Sequence, residues 1–399
     1  MIVLHVQKVA GISGSEAHLL SLLPDLKARG WDIRFLMLHE HEPGAWEFAR
    51  ALESSGVPVD AVPMGTDVDP VAFLRVLSYL LHHRPTILHT HLVHADAYGQ
   101  TAGALAGVPV RLSTKHGFNE FREGRVFALG DRTIGALAHR QIAISRGLAR
   151  YLSETEGFLE PDFEIVHYGI AAGSEPEPYA GTEPRFLCVG RLIPIKGHVV
   201  LLRAFRQVLD LRPDARLDIA GRGVLDHGLK DLARELGLGG AVRFLGHVAP
   251  VQQAVEDSLA VVVPSLGEGF GMVALEAMER ARPVIAASIG GLEDLVREGE
   301  TGLLVPPGDA DALAQAMLTL AGDPARATAM GNAGRARALE RFPEDRCTER
   351  TEEVYRYWLE ERANGSFENG RFGNGSFENG SRSSAAAASS ASTKSHGTR

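Results

Sequence analysis

The stretch VVVPSLGEGFGMVALEAM, residues 261–278, decides the fold. Its β-branched opening reads as a buried strand that stops at Pro264, and after Gly271 the apolar residues return at helical spacing. The loop between them holds Glu268, Gly269, Phe270 and Gly271, with Met272 opening the helix and Glu276 one turn further on. Glycines let a backbone approach a ligand closely, and a new helix N-terminus offers unpaired N–H groups to an anion. Two carboxylates that only accept hydrogen bonds therefore bracket the turn, suited to hydroxyls on either side of a phosphate. The competing reading is a helix-capping loop with two solvated glutamates.

The same strand–turn–helix unit recurs on both sides of this segment. Upstream, Ile2–Val6, Asp32–Leu38, Val57–Val62, Thr86–Thr90, Val110–Thr114, Gln141–Ile144 and Phe163–Val166 read as strands. Amphipathic stretches separate them, such as Ser15–Arg29, where Pro24 is expected to kink the helix or break its hydrogen-bond ladder. Residues 171–184, AAGSEPEPYAGTEP, have no apolar period and read as a linker. The alternation then restarts with strands Arg185–Gly190, Arg216–Ala220, Val242–Leu245, Leu259–Val263 and Pro283–Ala286. Helices are expected at Lys196–Leu211, Val224–Leu236, Gly271–Glu279 and Asp309–Leu320. The fold class is therefore α/β, with two doubly wound parallel-sheet domains in tandem, 1–170 and 185–342, facing a cleft. A final amphipathic helix spans 343–362, and the NGSFENG repeats and Ser/Ala-rich residues of 363–399 read as a low-complexity tail.

Other strand ends carry candidate chemistry. In VGRLIPIKG, Arg191 follows a strand and Lys196 opens the next helix, so two cations could neutralise a diphosphate, a task otherwise given to a metal. AGRGVLDHG (220–228) is no dinucleotide fingerprint, because Asp226 occupies the third glycine position. Gly221 is read as a turn near a nucleotide base, with Phe244 of VRFLGHV as a second wall. In GISGSE, Gly14 permits close approach of a phosphate or sugar, while Glu16 is either an acceptor-side group or a cap for its own helix. His89, His91, His94 and His116 stand at strand ends. His116 is the best placed to touch substrate, and His91 and His94 are candidates on the acceptor side. No carboxylate or cysteine stands at a familiar metal-site spacing from them, so no metal is expected. Asp67-Val68-Asp69 has an Asp-x-Asp form, but Asp69 before Pro70 reads as a helix cap.

Composition sets the outer bounds. With 399 residues, 45% of them hydrophobic, the chain can bury more than one core. A net charge of −9 argues against a general nucleic-acid binder. Cys188 and Cys347 form no disulfide framework, no apolar run reaches membrane-spanning length, and the N-terminus reads as a first strand rather than a leader. A cytoplasmic location is expected. Residues 115–150 hold seven basic against three acidic residues, a local +4 that leaves weak peripheral contact with the inner membrane face open beside the favoured reading of a solvated helix face.

Taken in order, GISGSEAHLLSLL, VRLSTKHGF, VGRLIPIKG, VRFLGHV, PSLGEGFGMVALEAM and GGLEDLVREGETGLLVPPGD resemble family 4 of the retaining glycosyltransferases, over about residues 1–345. The resemblance implies the GT-B architecture and a metal-independent hexosyl- or N-acetylhexosaminyl-type transferase without a cofactor. It would move a sugar from a nucleoside-diphosphate donor, UDP- or GDP-linked, to a hydroxyl acceptor on a glycan, glycolipid or small molecule. It implies that 185–342 binds the donor, 1–170 lies on the acceptor side and 343–362 crosses back to the first domain. Arg191 and Lys196 would hold the diphosphate, Glu276 the ribose and Glu268 the transferred sugar. Backbone around Gly269, Phe270, Gly271 and Met272 would meet phosphate or sugar oxygens, His116 would contact the sugar, and the Gly14 loop would close over the diphosphate. Two positions depart from the pattern: Ser13 replaces a glycine before Gly14, and GGLEDLV lacks a proline after its glycine pair. The alternatives are a sugar-nucleotide epimerase, a phosphorylase or a non-catalytic nucleotide-sugar sensor; a pyridine-nucleotide oxidoreductase is disfavoured by the lack of an intact GxGxxG.

Overall fold

Seven short apolar runs of the first half form one parallel sheet in the computed structural model, which describes residues 1–118, 125–158, 163–248 and 250–364. Its strands are β1 (Ile2–Lys8), β2 (Asp32–His39), β3 (Val59–Pro63), β4 (Ile87–His91), β5 (Val110–Lys115), β6 (Arg140–Ala143) and β7 (Phe163–Ile165). They lie in the order β3-β2-β1-β4-β5-β6-β7. A second parallel sheet contains β8 (Arg185–Val189), β9 (Arg216–Ala220), β10 (Val242–Gly246), β11 (Ala260–Val263), β12 (Val284–Ala287) and β13 (Gly302–Val305), ordered β10-β9-β8-β11-β12-β13. Strand order reverses between β1 and β4 in the first sheet and between β8 and β11 in the second. At such a reversal the connecting helices leave on opposite faces, and a crevice opens beyond the carboxyl ends of the strands.

In the second unit the sequence reading lacks the strand β13 and the helices Gln252–Glu256, Leu292–Leu295 and Pro324–Arg341. The helix Pro324–Arg341 buries Ala327, Met330, Gly331, Gly334 and Ala338, a stripe of mostly small residues with little hydropathy contrast. The helix Gly14–Ala28 runs through Pro24, which forfeits one N–H in its ladder without ending the helix.

The segment after β7 joins the two units, and the chain returns beside it. Ile170 N–H donates to Phe342 O at 2.9 Å, and Glu344 N–H donates to Ile170 O at 3.2 Å. The helix Glu344–Ala363 then packs on the first unit. Tyr355 is fully buried against the β1 side of the sheet, and Trp31 Nε1–H donates to Glu352 at 2.7 Å. Residues 171–184 lack regular structure but are held to the second unit: Gly173 N–H donates to Glu279 at 3.0 Å and Arg282 to Glu177 O at 2.8 Å.

The facing loops of the two units touch directly. Ser145 Oγ–H donates to Gly269 O at 2.6 Å, and Asp294 accepts from Arg146 N–H at 2.7 Å while meeting His167 Nε2 at 3.0 Å. Phe270, 2% exposed, fills the space between them against Tyr168 and Phe342.

Asp69 caps the helix Pro70–His83, accepting from Val71 N–H at 2.9 Å and Ala72 N–H at 3.0 Å, with Gly65 N–H on its other oxygen at 2.9 Å. Both carboxylate oxygens are thus in use. Urea denaturation is expected to show Asp69→Ala losing about 1 kcal/mol and Asp69→Asn retaining most of that stability. A metal-ligand role would instead leave the stability of the unliganded protein unchanged.

Candidate functional site

Arg191 follows β8 and Glu268 follows β11, so both stand at the strand-order reversal of the second sheet. Lys196 reaches the same place because Gly197 adopts φ +70°, a left-handed turn in which a Cβ would lie 1.9 Å from Pro264 O. Leu266 N–H donates to Ile195 O at 2.7 Å, tying the two loops together. Lys196 Nζ then lies 2.6 Å from Glu268 Oε2, which also accepts from Ser265 Oγ at 3.1 Å. Arg191 is exposed and makes no ion pair among the described residues. Gly221 (φ +151°) lets the turn after β9 sit against Gly190 at the end of β8, since a Cβ there would meet Gly190 O at 1.8 Å. Gly271 precedes the helix Met272–Glu279, whose first amides have no intrahelical acceptor.

A cavity of about 360 Å³ lies beside this cluster, between the units. Its walls include His18 and Tyr168 of the first unit, Met272 and Glu276 of the second, and Thr348 of the last helix. The volume falls in the range of small-molecule sites. Burial pushes the Glu276 carboxyl up to about 7. Met272 and Glu276 thus line this cavity, while Lys196 and Glu268 stand outside its lining. Around Gly14 a Cβ would meet nothing within 4 Å, so no neighbouring group in the described protein requires glycine there. Gly269 is confined by the first unit, because a Cβ would lie 2.6 Å from His116 O.

Several expected contacts are corrected by the geometry. The Phe270 side chain is interdomain packing, leaving only its backbone for a ligand. Phe244 faces the core under the helix Asp226–Glu235, with Lys230 Nζ 5.8 Å from its ring, so it forms no wall of the cavity. Val251 and Val255 are apolar cavity residues that follow that strand. Glu16 is 5% exposed and fully engaged, accepting from Ser13 N–H at 3.1 Å and from Gln7 Nε2–H at 2.5 Å. It closes a capping box rather than facing an acceptor. His94 Nε2 meets Asp67 at 2.8 Å, and Lys8 meets the same oxygen at 3.0 Å. His91, 1% exposed, cannot reach an acceptor.

His91 belongs instead to a buried chain that the sequence did not reveal. Tyr168 OH is hydrogen-bonded to His116 Nδ1, and His116 Nε2 to His91 Nδ1 at 2.8 Å. His91 Nε2 meets His5 Nδ1 at 2.9 Å, and His5 Nε2 meets Tyr355 OH at 3.1 Å. Tyr355 OH continues to His89 Nδ1 at 2.7 Å, and His89 Nε2 to Thr114 Oγ1 at 2.6 Å. The signal was present in parity: His5 and His89 are register partners on β1 and β4, with His91 two residues on. Burial, reinforced by neighbouring imidazoles, lowers the pKa of His5, His91 and His116 well below the usual value and that of His89 to about 3, so the rings are neutral at pH 7. One nitrogen from each of His5, His89 and His91 lies within 4.8 Å of the others, a spacing that could hold an ion. All six ring nitrogens already have hydrogen-bond partners, however, so ligation would break existing bonds. His116 likewise has both nitrogens occupied, and Tyr168 rather than His116 lines the cavity.

The basic excess of residues 115–150 is partly internal. Lys115 is buried between Asp96 at 2.7 Å and Asp131 at 3.3 Å, and Arg140 pairs with Glu164 at 3.0 Å. Arg122, Glu120 and Glu123 lie outside the described residues, as does 365–399 of the tail. Among the described residues no helix is long and apolar enough to cross a membrane.

With the fold and site in view, comparison with known proteins is direct. Residues 174–337 match the family model "Glycosyl transferases group 1", and residues 13–169 match "Glycosyl transferase 4-like domain". A D-inositol 3-phosphate glycosyltransferase of Streptomyces avermitilis is 39% identical over 180 residues, covering 42% of this chain and 39% of that one. The protein of the same description from Streptomyces scabiei is 40% identical over 313 residues, covering 68% and 69%. The chain thus spans about two fifths of the first relative's length and just over two thirds of the second's. Among solved structures, Anabaena Alr3699/HepE in complex with UDP and glucose superposes with a TM-score of 0.78 at 20% identity, covering 90% of this chain and all of that one, a likeness of fold. Two parallel sheets facing across one cleft and two family models end to end lead to one conclusion: the chain belongs to the family 4-type glycosyltransferases, with the GT-B architecture.

Proposed function

We propose that this protein is a retaining, metal-independent transferase. It would carry a hexosyl or N-acetylhexosaminyl group from a UDP- or GDP-linked donor to a hydroxyl acceptor. The observation that carries this reading is the Lys196–Glu268 pair at the β8/β11 reversal, with Arg191 at the same strand end, exposed and in no ion pair among the described residues. The relatives' names point to a phosphorylated cyclitol as the first acceptor to try, and the UDP of the Anabaena complex to the first donor base.

In this reading the diphosphate lies across Arg191, Lys196 and the first amides of the helix Met272–Glu279. As the bond from the anomeric carbon to phosphate breaks, negative charge grows on the departing oxygen and fixed cations stabilise it without reorganising. The acceptor oxygen bonds to the anomeric carbon on the same face, and its proton passes to the departing phosphate oxygen. Glu268 grips the sugar, while Glu276 accepts from the ribose hydroxyls in the adjoining cavity. Backbone at Gly269, Gly271 and Met272 meets phosphate or sugar oxygens, and the Gly14 loop closes over the diphosphate. Metal independence is supported by chemistry already on the protein: two cations stand where an ion would act, and Asp69 of the Asp-x-Asp segment is spent on its cap.

Arg191→Ala and Lys196→Ala are each expected to lower turnover about ten- to a hundredfold. The thermal midpoint should stay nearly constant for Arg191→Ala. Assays with UDP- and GDP-sugars against inositol phosphates and simple glycosides, with the product anomer read by NMR, test this. Wild-type turnover in Arg191→Ala, or an inverted anomer, would sink the reading.

Glu276 supplies a pH test. Its pKa in the folded protein lies above the ordinary carboxylate value, so its contribution to unliganded stability is complete below about 4.5 and is lost as the pH rises through about 7. Ribose binding needs the carboxylate, so nucleotide affinity should move the other way, rising from pH 6 to pH 8. Thermal midpoints with and without UDP or GDP across that range check both signs, and Glu276→Gln should flatten both curves.

A further inference from the structure

The buried chain of histidines and tyrosines has a polarity that its two ends determine. Tyr168, His116, His91, His5, Tyr355, His89 and Thr114 are joined in series, each imidazole through both of its nitrogens. A neutral imidazole has one N–H and one bare nitrogen. Each ring-to-ring bond runs from the Nε2 of one histidine to the Nδ1 of the next, and Tyr355 OH passes the same sense onward to His89. All four rings must therefore carry their hydrogen on the same atom, either Nδ1 throughout or Nε2 throughout.

The ends choose between these two states. With Nε2–H throughout, His89 donates to Thr114 Oγ1, and the Thr114 hydroxyl hydrogen has no acceptor among the described residues. With Nδ1–H throughout, Thr114 O–H donates into the chain and His116 Nδ1–H donates to Tyr168 O. The Tyr168 hydroxyl hydrogen is then the one left over; Tyr168 and Thr114 are equally buried, 4% and 5% exposed, but Tyr168 lines the cavity and Thr114 does not. An unmet donor costs least where a ligand or water can meet it. Burial also raises the Tyr168 phenol well above its usual range, so it keeps its hydrogen.

We propose that Tyr168 is the ligand-facing end of this polarised relay, its hydroxyl donating a hydrogen bond to a ribose or phosphate oxygen of a nucleoside diphosphate in the cavity. His116, His91, His5, Tyr355 and His89 are positioning residues that set its direction. The proposal rests on the reading of the cavity as the donor's seat. It adds Tyr168 to the nucleotide's contacts, with His116 behind it, and it makes the last helix, through Tyr355, a supplier of order to the cleft.

The wild-type protein, selectively 15N-labelled at histidine, gives the first test. At pH 7 the rings of His5, His89, His91 and His116 are expected to be neutral and all Nδ1–H. Any ring charged, or Nε2–H in any of the four, overturns the proposal without a variant being made. The second test is calorimetric titration with UDP and GDP. Tyr168→Phe keeps the ring that stacks on His18 and should weaken binding of whichever nucleotide the wild type takes about tenfold. Tyr355→Phe should weaken it less, with the His116 nitrogen signals displaced. Glu276→Ala separates the two levels of argument. If it weakens binding while Tyr168→Phe does not, the relay proposal alone falls. If neither change matters, the cavity is not the nucleotide's seat and both fall. Should Tyr168→Phe fail to fold, Tyr355→Phe carries the test, and unchanged nitrogen signals there overturn the proposal.

Discussion

Everything chemical in this molecule depends on two reversals of strand order being held face to face. Each parallel sheet by itself offers a shallow crevice at its reversal, β1/β4 in one and β8/β11 in the other. Opposing them makes a deeper cavity between the units, and the opposition is secured by backbone and apolar contacts as well as surface charge. Phe270 occupies the interdomain space, Asp294 binds both Arg146 and His167, and the chain crosses out at Ile170 and returns at Phe342 side by side. Glu268, Phe270 and Met272 are nearly consecutive, so one loop supplies a polar group, an interdomain wedge and a cavity wall. A substitution there would disturb packing and chemistry together.

Most of the architecture was legible because parallel strands buried on both faces read as short apolar runs, and ligands in such sheets gather at the turns that follow them. The placement of Lys196, Glu268 and Glu276 at or just after such turns was legible for the same reason. What was not legible was direction. A strand-end residue points either into the crevice or into the core, and register alone decides which. Phe244 alternates inward while its neighbour Leu245 is 37% exposed. Phe270 looked like part of a ligand loop and is a core residue whose core lies between domains. Glu16 had two readings in the sequence, and the proximity of Gln7 and Ser13 settled the choice for the cap.

The histidine chain shows a second kind of illegibility. Its members are scattered from residue 5 to residue 355, and nothing local distinguishes His5 from an ordinary strand residue. Parallel pairing of β1 with β4 places His5 beside His89, and the last helix supplies Tyr355 from the far end of the sequence. Seven polar residues in one interior would be costly unless each found partners, and in series they do.

The ion pair of Lys196 with Glu268 has a consequence for how charge is handled on the proposed reading. At 2.6 Å, with both side chains largely shielded from solvent, the two groups screen each other in this structure. A diphosphate would compete with Glu268 for the same ammonium and, carrying more negative charge, would draw it away. Glu268 would then be left with Ser265 as its polar neighbour, an acceptor seeking donors beside a ligand rich in hydroxyls. Arrival of the phosphates would in this way release the group that grips the sugar. The cost of separating the pair would be offset only by a ligand offering both functions, which favours an intact nucleotide-sugar over either half alone.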